Sequence, residues 1–221
     1  MRRRAAAAAI EEIAPDVAGL QEVRPLQRKY LQRRLRPYGW LSKGRAKLKG
    51  RGEHCPVLYR RDRLEVERWD VRWYAPDQPD RIATIAHFGA FSVLNTHLAE
   101  RSAPARDHSV AALLAWLRES AGPWVVMGDL NATPADASVQ ALLAAGLRDA
   151  LSGLPADGAG AATGHEWTGK TDGRRIDHIL VSPGIEVVDA SIVRSRPFGR
   201  LPSDHWPVVA RLRVGAAELR S

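Results

Sequence analysis

Carboxylate, amide and imidazole side chains follow short apolar runs at four points along the 221-residue chain. In sequence order these clusters are Gln21-Glu22, Asn95-Thr96-His97, Gly128-Asp129-Leu130-Asn131 and Ser203-Asp204-His205. Each alone has an ordinary structural explanation, because Asp and Asn favour turns and a polar side chain at a strand end is usually solvated. Together they offer oxygen ligands for a hard cation and imidazoles for proton transfer. Strand ends can meet at one edge of a layered fold, so the clusters predict one polar site.

The elements that must bring these clusters together are short strands separated by a few helices. Helical spacing of apolar residues predicts helices over 3–13, 24–36, 105–119 and 136–145. Apolar runs predict strands over 17–23, 55–59, 64–74, 82–87, 91–95, 124–127, 176–181, 185–194 and 206–214, with loops over 41–53 and 152–165. This mixture indicates an α/β or α+β layered fold. We expect one domain over residues 1–221, with its core at about 10–213.

The positive charge of the chain is concentrated in one segment. Arg24–Arg51 contains eleven Lys and Arg residues and no acidic residue, which exceeds the net charge of +8, so the remainder carries a net −3. Such a segment attracts polyanions such as nucleic acid, acidic lipid head groups or phosphorylated substrates. A solvated helix face followed by an Arg-rich loop explains the same pattern equally well. The sequence alone leaves both interpretations open.

Composition excludes several other classes of protein and site. No apolar run is long enough to span a bilayer. Cys55 is the only cysteine, which excludes an internal disulfide and a cysteine-rich metal site and fits a reducing cytoplasm. We therefore expect a cytoplasmic protein, monomeric and without a stable protein partner.

Five motifs occur in a characteristic order. They are Gln-Glu at 21–22, Asn-Thr-His at 95–97, Gly-Asp-x-Asn at 128–131, Arg-Ile-Asp-His-Ile at 175–179 and Ser-Asp-His-x-Pro-Val at 203–208. In this order they resemble the endonuclease/exonuclease/phosphatase superfamily of metal-dependent phosphoesterases. The resemblance covers about residues 10–213. It implies a four-layer sandwich, in which two packed mixed β-sheets are flanked by helices.

The resemblance implies a metal ligand and a water-activating group. Glu22 would bind the divalent metal, and Asp204 would join the metal or water network. Asp129 would orient or deprotonate the attacking water. Asn131 would bind the phosphate and help to fix Asp129.

Two imidazoles complete the site that the resemblance implies. His97 and His205 would contact the phosphoryl oxygens, with Glu53 orienting His97 and Asp177 holding the tautomer of His205. The expected substrate-binding residues are Asn95, Arg60 and Arg175.

The chemistry of phosphodiester hydrolysis requires groups of these types. A phosphodiester is an anion that repels hydroxide, and a cation held by carboxylates neutralises its oxygens. Imidazolium groups then stabilise the pentacovalent state, each donor supplying about 3 kcal/mol. Oxygen-rich ligands favour Mg²⁺ or Mn²⁺ over zinc.

Members of the superfamily usually begin with a strand that carries a metal-binding Asn, and here the first predicted element is already a helix. The expectation is therefore a chain truncated at its start, without the family's first strand. Two functions follow. The first is a Mg²⁺-dependent phosphodiesterase or phosphatase, with DNA or RNA as the leading substrate and a phosphoinositide or other small phosphodiester as the alternative. The second is a non-catalytic, basic polyanion-binding module. The presence of Glu53 and Asp177 as partners for the two imidazoles favours the enzyme.

Overall fold

The computed structural model describes residues 2–45, 52–74 and 81–215, and the helices and strands it contains are short. The α-helices are α1 (Arg2–Ile13), α2 (Pro25–Arg34), α3 (Ala103–Leu117) and α4 (Ala137–Ala144), with a 3₁₀ turn at Pro197–Gly199. The strands are β1 (Val17–Gly19), β2 (Tyr38–Leu41), β3 (Val57–Arg60), β4 (Arg68–Trp73), β5 (Ile82–His87), β6 (Ser92–His97), β7 (Trp124–Asp129), β8 (Arg148–Asp149), β9 (Asp177–Val181), β10 (Ile185–Ile192) and β11 (Val208–Val214). No described helix is both long and apolar enough to cross a bilayer.

The strands form one large sheet and two small ones. The large sheet has six strands in the order β4-β5-β6-β7-β9-β8, and only the β6–β7 pair is parallel. One small sheet has the order β1-β3-β2, and the other is the antiparallel pair β10-β11.

Buried apolar side chains show how these sheets and helices stack in layers. One core cluster combines residues of the large sheet with residues of α3 and α4, such as Leu94, Leu113 and Leu142. A second cluster joins the other face of the large sheet to both small sheets. A third packs α1 and α2 on the outer face of the β1-β3-β2 sheet. The predicted four-layer sandwich is confirmed, with two separate small sheets forming its second sheet layer among the described residues.

Most predicted elements occur in the structure with ends shifted by a few residues. The predicted strand over 17–23 ends at Gly19, because the chain then turns and Glu22 has a positive φ of 55°. Strands β2 and β8 were not predicted. The predicted loop over 41–53 and the basic segment Arg24–Arg51 both include residues 46–51, which lie outside the described residues.

A buried amide ties the large sheet to the β1-β3-β2 sheet. The side chain of Asn95 is 0% exposed, and its Nδ2 donates to the carbonyls of Leu20 and Pro56 at 2.9 and 2.8 Å. Its Oδ1 accepts from Gln21 Nε2 at 2.8 Å. Gly19 permits this close approach, since a Cβ there would lie 2.4 Å from Asn95 Oδ1. The expectation that Asn95 binds substrate is therefore corrected: its hydrogen-bonding atoms are used inside the protein, where they position Gln21 and the following Glu22.

Replacement of Asn95 by Ala should destabilise the fold without a change at the protein surface. The buried carbonyls of Leu20 and Pro56 would lose this donor, and we expect the free energy of unfolding to fall by about 3 kcal/mol. Urea denaturation followed by circular dichroism measures this loss. The control is Gln140→Ala, which removes an exposed amide that donates to Pro134 O and should cost under about 0.5 kcal/mol. Equal stability of the two variants would contradict the cross-linking role of Asn95.

Candidate active site

Backbone register places three ionisable side chains in one row across the large sheet. The parallel β6–β7 pair sets His97 opposite Asp129, and the antiparallel β7–β9 pair sets Asp129 opposite Asp177. Residues directly opposite each other on neighbouring strands share a face of the sheet, with their Cβ atoms about 5 Å apart. Alternation with Val125, which belongs to the core between the sheets, shows that the row faces the small sheets.

His205 reaches this row from the segment that precedes β11. Its Nδ1 lies 2.8 Å from Asp177 Oδ2, and its backbone N–H donates to Ser203 Oγ at 3.1 Å. The potential ligand atoms of Asp129, Asp177 and His205 lie within 4.8 Å of one another. The structure thus brings together Asp129, Asp177, His97 and His205, as the sequence predicted.

The Gly-Asp-x-Asn turn fixes the end of β7. A Cβ on Gly128 would lie 1.9 Å from the carbonyl oxygen of Thr96, so only glycine allows β6 and β7 to pair this closely here. The backbone N–H of Asn131, which has a φ of 50°, donates to Asp129 Oδ1 at 2.8 Å. Asn131 Nδ2 lies 3.0 Å from His97 Nε2 and donates to Leu98 O at 3.0 Å. Asn131 therefore links the carboxylate of β7 to the imidazole of β6.

The two imidazoles of the site have opposite electrostatic character. Burial, followed by the charge of Arg81, lowers the pKa of His97 to about 3, so this ring is neutral and its Nε2 accepts from Asn131. Burial also disfavours charge on His205, but its hydrogen bond to Asp177 and the charges of Asp177, Asp129 and Asp204 outweigh burial and raise its pKa to about 9. At neutral pH His205 is the imidazolium and His97 is not.

Asp129 has the proton affinity of a base that works near neutral pH. Burial is the main cause that raises its pKa to about 7, and the charge of Asp177 adds to it. The charge of His205, the N–H of Asn131 and the charge of Arg81 act in the opposite direction. A buried carboxylate with such a pKa can accept a proton from water and return it.

His97, Asp129, Asn131 and His205 line an open cavity of about 620 Å³. Glu22 and Asp204 line its wall, and Glu22 Oε1 is 3.9 Å from His97 Nδ1. The remaining charged lining is mixed: four cationic residues, Arg81, Arg101, Lys170 and Arg174, and two further acids, Glu100 and Glu166.

The carboxylates on the cavity wall fit a hard divalent cation. Glu22, Asp204 and Asp129 offer oxygen donors in the cavity, and no cysteine is available there to favour a softer metal. A cation near Asp129 would also offset the charge repulsion that raises its pKa. Among the described residues, Asp129, Asp177 and His205 are the one acidic and imidazole set whose ligand atoms all lie within 4.8 Å of one another. Asp177 Oδ2 and His205 Nδ1 of this set are, however, already hydrogen-bonded to each other.

Glu53 does not orient His97, contrary to the sequence-based expectation. Its carboxylate pairs with Arg45 at 3.2 Å and with Arg24 at 3.7 Å. The partners of the His97 ring are instead Asn131, Asp129 at 3.4 Å and Glu22. The strongly basic surroundings of Glu53 offer it cationic partners that are nearer than His97.

Two arginines expected to bind substrate also lie elsewhere. Arg175 is 1% exposed, and its Nη2 pairs with Asp149 Oδ2 at 2.7 Å in the protein interior. Arg60 pairs with Asp62 at 2.6 Å, and it is not among the residues that line the cavity. The expectation that they bind substrate is therefore corrected: Arg175 is buried in an ion pair, and Arg60 is paired with the exposed Asp62 away from the cavity.

Arg81 is the cavity residue that sequence reasoning missed most clearly. It directly precedes β5, in which Ala83 is paired with Thr96, the neighbour of His97 on β6. Arg81 is partly buried, and it forms no ion pair with a carboxylate among the described residues. A charged residue next to a predicted strand was the available signal, but it indicates a site only once the strand pairing is known.

The chain matches the family profile described as Endonuclease/Exonuclease/phosphatase family over residues 1–205. The chain belongs to this family. No curated protein matches the chain. The family and the site together indicate a hydrolase that acts on phosphoester bonds.

Solved structures share the fold over nearly the whole chain. The Bacteroides thetaiotaomicron VPI-5482 mannosyl-6-phosphatase is 26% identical, with 96% of this chain and 90% of that one covered and a TM-score of 0.87. An endonuclease/exonuclease/phosphatase from Bacteroides vulgatus is 28% identical, with 96% and 90% covered and a TM-score of 0.85. D. rerio TDP2, complexed with single strand DNA product, is 20% identical, with 96% and 92% covered and a TM-score of 0.79, and supports the fold alone.

Replacement of Asp177 by Asn should lower the pKa of His205 in metal-free protein from about 9 toward its ordinary value. A raised pKa stabilises the folded state below about pH 6.5, the value of an unfolded histidine, and this contribution is lost as pH rises through 9. The wild type should therefore lose more stability than Asp177→Asn between these two pH values. NMR titration of the His205 ring and urea denaturation across pH measure both effects. An unchanged His205 titration in the variant would show that Asp177 does not control this imidazole.

Proposed function

We propose that the chain is a divalent-metal-dependent phosphoesterase in which Asp129 activates a water for attack on phosphorus. The observation that carries this proposal is the in-register row of His97, Asp129 and Asp177, completed by His205 at 2.8 Å from Asp177. His97, Asp129 and His205 line an open cavity, and Glu22 and Asp204 line it as well.

The attacking water is oriented and deprotonated by the Asp129 carboxylate. Its pKa of about 7 allows the base form to exist at neutral pH and still gives a driving force for proton transfer. The N–H of Asn131 fixes Oδ1, which leaves Oδ2 for the water. His97, which is neutral, accepts from the Asn131 amide and so holds this residue in place.

His205 stabilises the charge that develops on the phosphoryl oxygens. Its Nδ1 is engaged by Asp177, so the opposite nitrogen, Nε2, is the one free to donate to the substrate. The pKa of about 9 keeps the ring protonated at neutral pH. A donor of this kind contributes about 3 kcal/mol to transition-state stabilisation.

Glu22 and Asp204, which both line the cavity, would hold Mg²⁺ or Mn²⁺. When bound, the cation supplies neutralisation of the phosphoryl oxygens. Arg81, whose guanidinium lines the cavity near His97 and Asp129, would contribute further positive charge to the bound phosphate.

Nucleic acid is the leading substrate class. Four cationic side chains on the cavity wall, those of Arg81, Arg101, Lys170 and Arg174, support an anionic strand as ligand. None of the described residues of the basic segment that first suggested this class, 24–45, lines the cavity.

A small sugar phosphate is the second candidate, favoured by Glu100 and Glu166. These exposed carboxylates line the same cavity, where they would repel a phosphate backbone but could accept hydrogen bonds from sugar hydroxyls. The 26% identity to a mannosyl-6-phosphatase supports this candidate as well.

Purified protein should hydrolyse a phosphoester in the presence of Mg²⁺ and stop in EDTA. Because Asp129→Asn removes the base, it should lower kcat by about 10³-fold. The control is Asp189→Asn, which changes an exposed carboxylate on β10 and should retain full activity. Activity that survives EDTA would overturn the metal requirement. Folded wild-type protein without any turnover would favour the non-catalytic polyanion-binding module.

The two substrate classes should respond oppositely to changes on the cavity wall. Rates are compared on single-stranded DNA, duplex DNA, RNA, a phosphoinositide and a hexose 6-phosphate. For a nucleic acid, Arg101→Ala with Lys170→Ala should raise KM and reduce the slope of log KM against log salt by about 2, whereas Glu166→Gln should lower KM. For the sugar phosphate, Glu100→Gln and Glu166→Gln should raise KM because acceptors for hydroxyls are weakened. Cleavage of the hexose phosphate alone would reject nucleic acid as the substrate.

A further inference from the structure

The Asp177–His205 pair joins two segments that are not paired directly. Asp177 is the first residue of β9, and His205 lies in the segment before β11, 28 residues further along the chain. Strand β9 pairs with β7 and β8, whereas β11 pairs with β10. The distance between the carboxylate and the imidazole must therefore be set by contacts with a third segment.

Thr163 contacts both segments and is 0% exposed. Its Oγ1 accepts from the backbone N–H groups of Ile176 and Asp177 at 3.0 and 3.1 Å. Its carbonyl accepts from the N–H of Trp206 at 2.7 Å. One residue thus bonds to the backbone of Asp177 and to the residue that follows His205.

The residues after Thr163 reinforce this link to the His205 segment. Gly164 forms an isolated antiparallel bridge with His205. The N–H of His165 donates to the carbonyl of Asp204 at 2.8 Å. The backbone of the His205 segment is therefore held by the segment that begins at Thr163. The N–H of Thr163 also donates to the carbonyl of Arg174 at 3.2 Å, but its bonds to Ile176 and Asp177 themselves use the hydroxyl.

We propose that Thr163 is a positioning residue that sets the geometry of the Asp177–His205 pair. This inference rests on the proposed function, in which that pair stabilises phosphoryl charge. Thr163 is not among the residues that line the cavity, so it acts by positioning Asp177 and His205 and not by contacting the substrate.

The hydroxyl is the part of Thr163 that cannot be replaced by an apolar group. The N–H of Ile176 and that of Asp177 are both directed to Thr163 Oγ1. Without this acceptor the buried N–H of Asp177 and the partly buried N–H of Ile176 lose a partner, and we expect the start of β9 to move so that they find another. A displacement of about 1 Å at a catalytic group can cost about 100-fold in rate.

The kinetic test compares Thr163→Val, which keeps the shape and loses the hydroxyl, with Thr163→Ser, which keeps the hydroxyl. We expect kcat to fall about 100-fold in Thr163→Val with KM within about 3-fold of wild type, because substrate contacts are unchanged. Thr163→Ser should restore kcat to within about 5-fold of wild type. The matched control is Thr84→Val, which removes an equally buried hydroxyl that donates to Cys55 O at 2.6 Å, and should leave kcat unchanged.

A second readout does not depend on activity. NMR of protein with ¹⁵N-labelled histidine follows the proton between His205 Nδ1 and Asp177, and hydrogen exchange follows the amides of Ile176 and Asp177. In Thr163→Val the imidazole proton should shift and both amides should exchange faster, whereas Thr163→Ser and Thr84→Val should match the wild type. If Thr163→Val does not fold, Thr163→Ala takes its place.

The outcomes separate this inference from the proposed function. A shifted imidazole proton and faster amide exchange in Thr163→Val, both reversed in Thr163→Ser, support the positioning role even if the wild type hydrolyses none of the substrates and the proposed function fails. An unchanged imidazole proton and unchanged kcat in an active enzyme would overturn it. Equal losses in Thr163→Val and Thr84→Val would also overturn it, because the effect would then be general to buried threonines.

Discussion

Two carboxylates that repel each other lie side by side in the interior of this protein, and the architecture of the site follows from how that repulsion is offset. Asp129 and Asp177 face each other across β7 and β9 and are only 5% and 7% exposed. Burial and proximity raise the pKa of Asp129 to about 7, which would leave it partly protonated at neutral pH. His205 offsets part of the cost by donating to Asp177, and its own pKa rises to about 9 as a result. The same compensation produces a base and an acid at neighbouring positions.

Backbone geometry determines which side chains take part in this arrangement. The registers of β6, β7 and β9 place His97, Asp129 and Asp177 in one row, and Gly128 allows β6 and β7 to approach closely at that point. The buried amide of Asn95 holds the large sheet against the turn that carries Glu22. The arrangement of the site therefore depends on hydrogen bonds and close contacts between residues of the protein itself.

The sequence predicted the layered fold and most of the row, because short motifs at strand ends record which residue types stand there. It could not reveal which ion pairs form between side chains in the folded protein, because these depend on burial and on the packing of separate segments. Glu53 pairs with Arg45 and not with His97, and Arg175 is hidden in an ion pair with Asp149.

Arg81 and Thr163 are residues of the site, or contacts of it, that the sequence could not identify, because neither belongs to a motif. The pairing of β5 with β6 places Arg81 at the cavity, and this pairing is not visible in the sequence. Thr163 became significant only because three backbone groups from two distant segments donate to it. Pairing and long-range hydrogen bonds of this kind depend on the assembled fold, which local sequence patterns do not encode.

If Asp177 and His205 act as one unit in hydrolysis, a double-mutant cycle on kcat should show it most directly. The four proteins are wild type, Asp177→Asn, His205→Ala and the double variant, each assayed on the best substrate with saturating Mg²⁺. If the pair is a unit, the double variant should be within about 3-fold of His205→Ala, because removing the imidazole already removes what Asp177 supports. If the two losses instead multiply, Asp177 and His205 act independently, and the pair is not the unit on which hydrolysis depends.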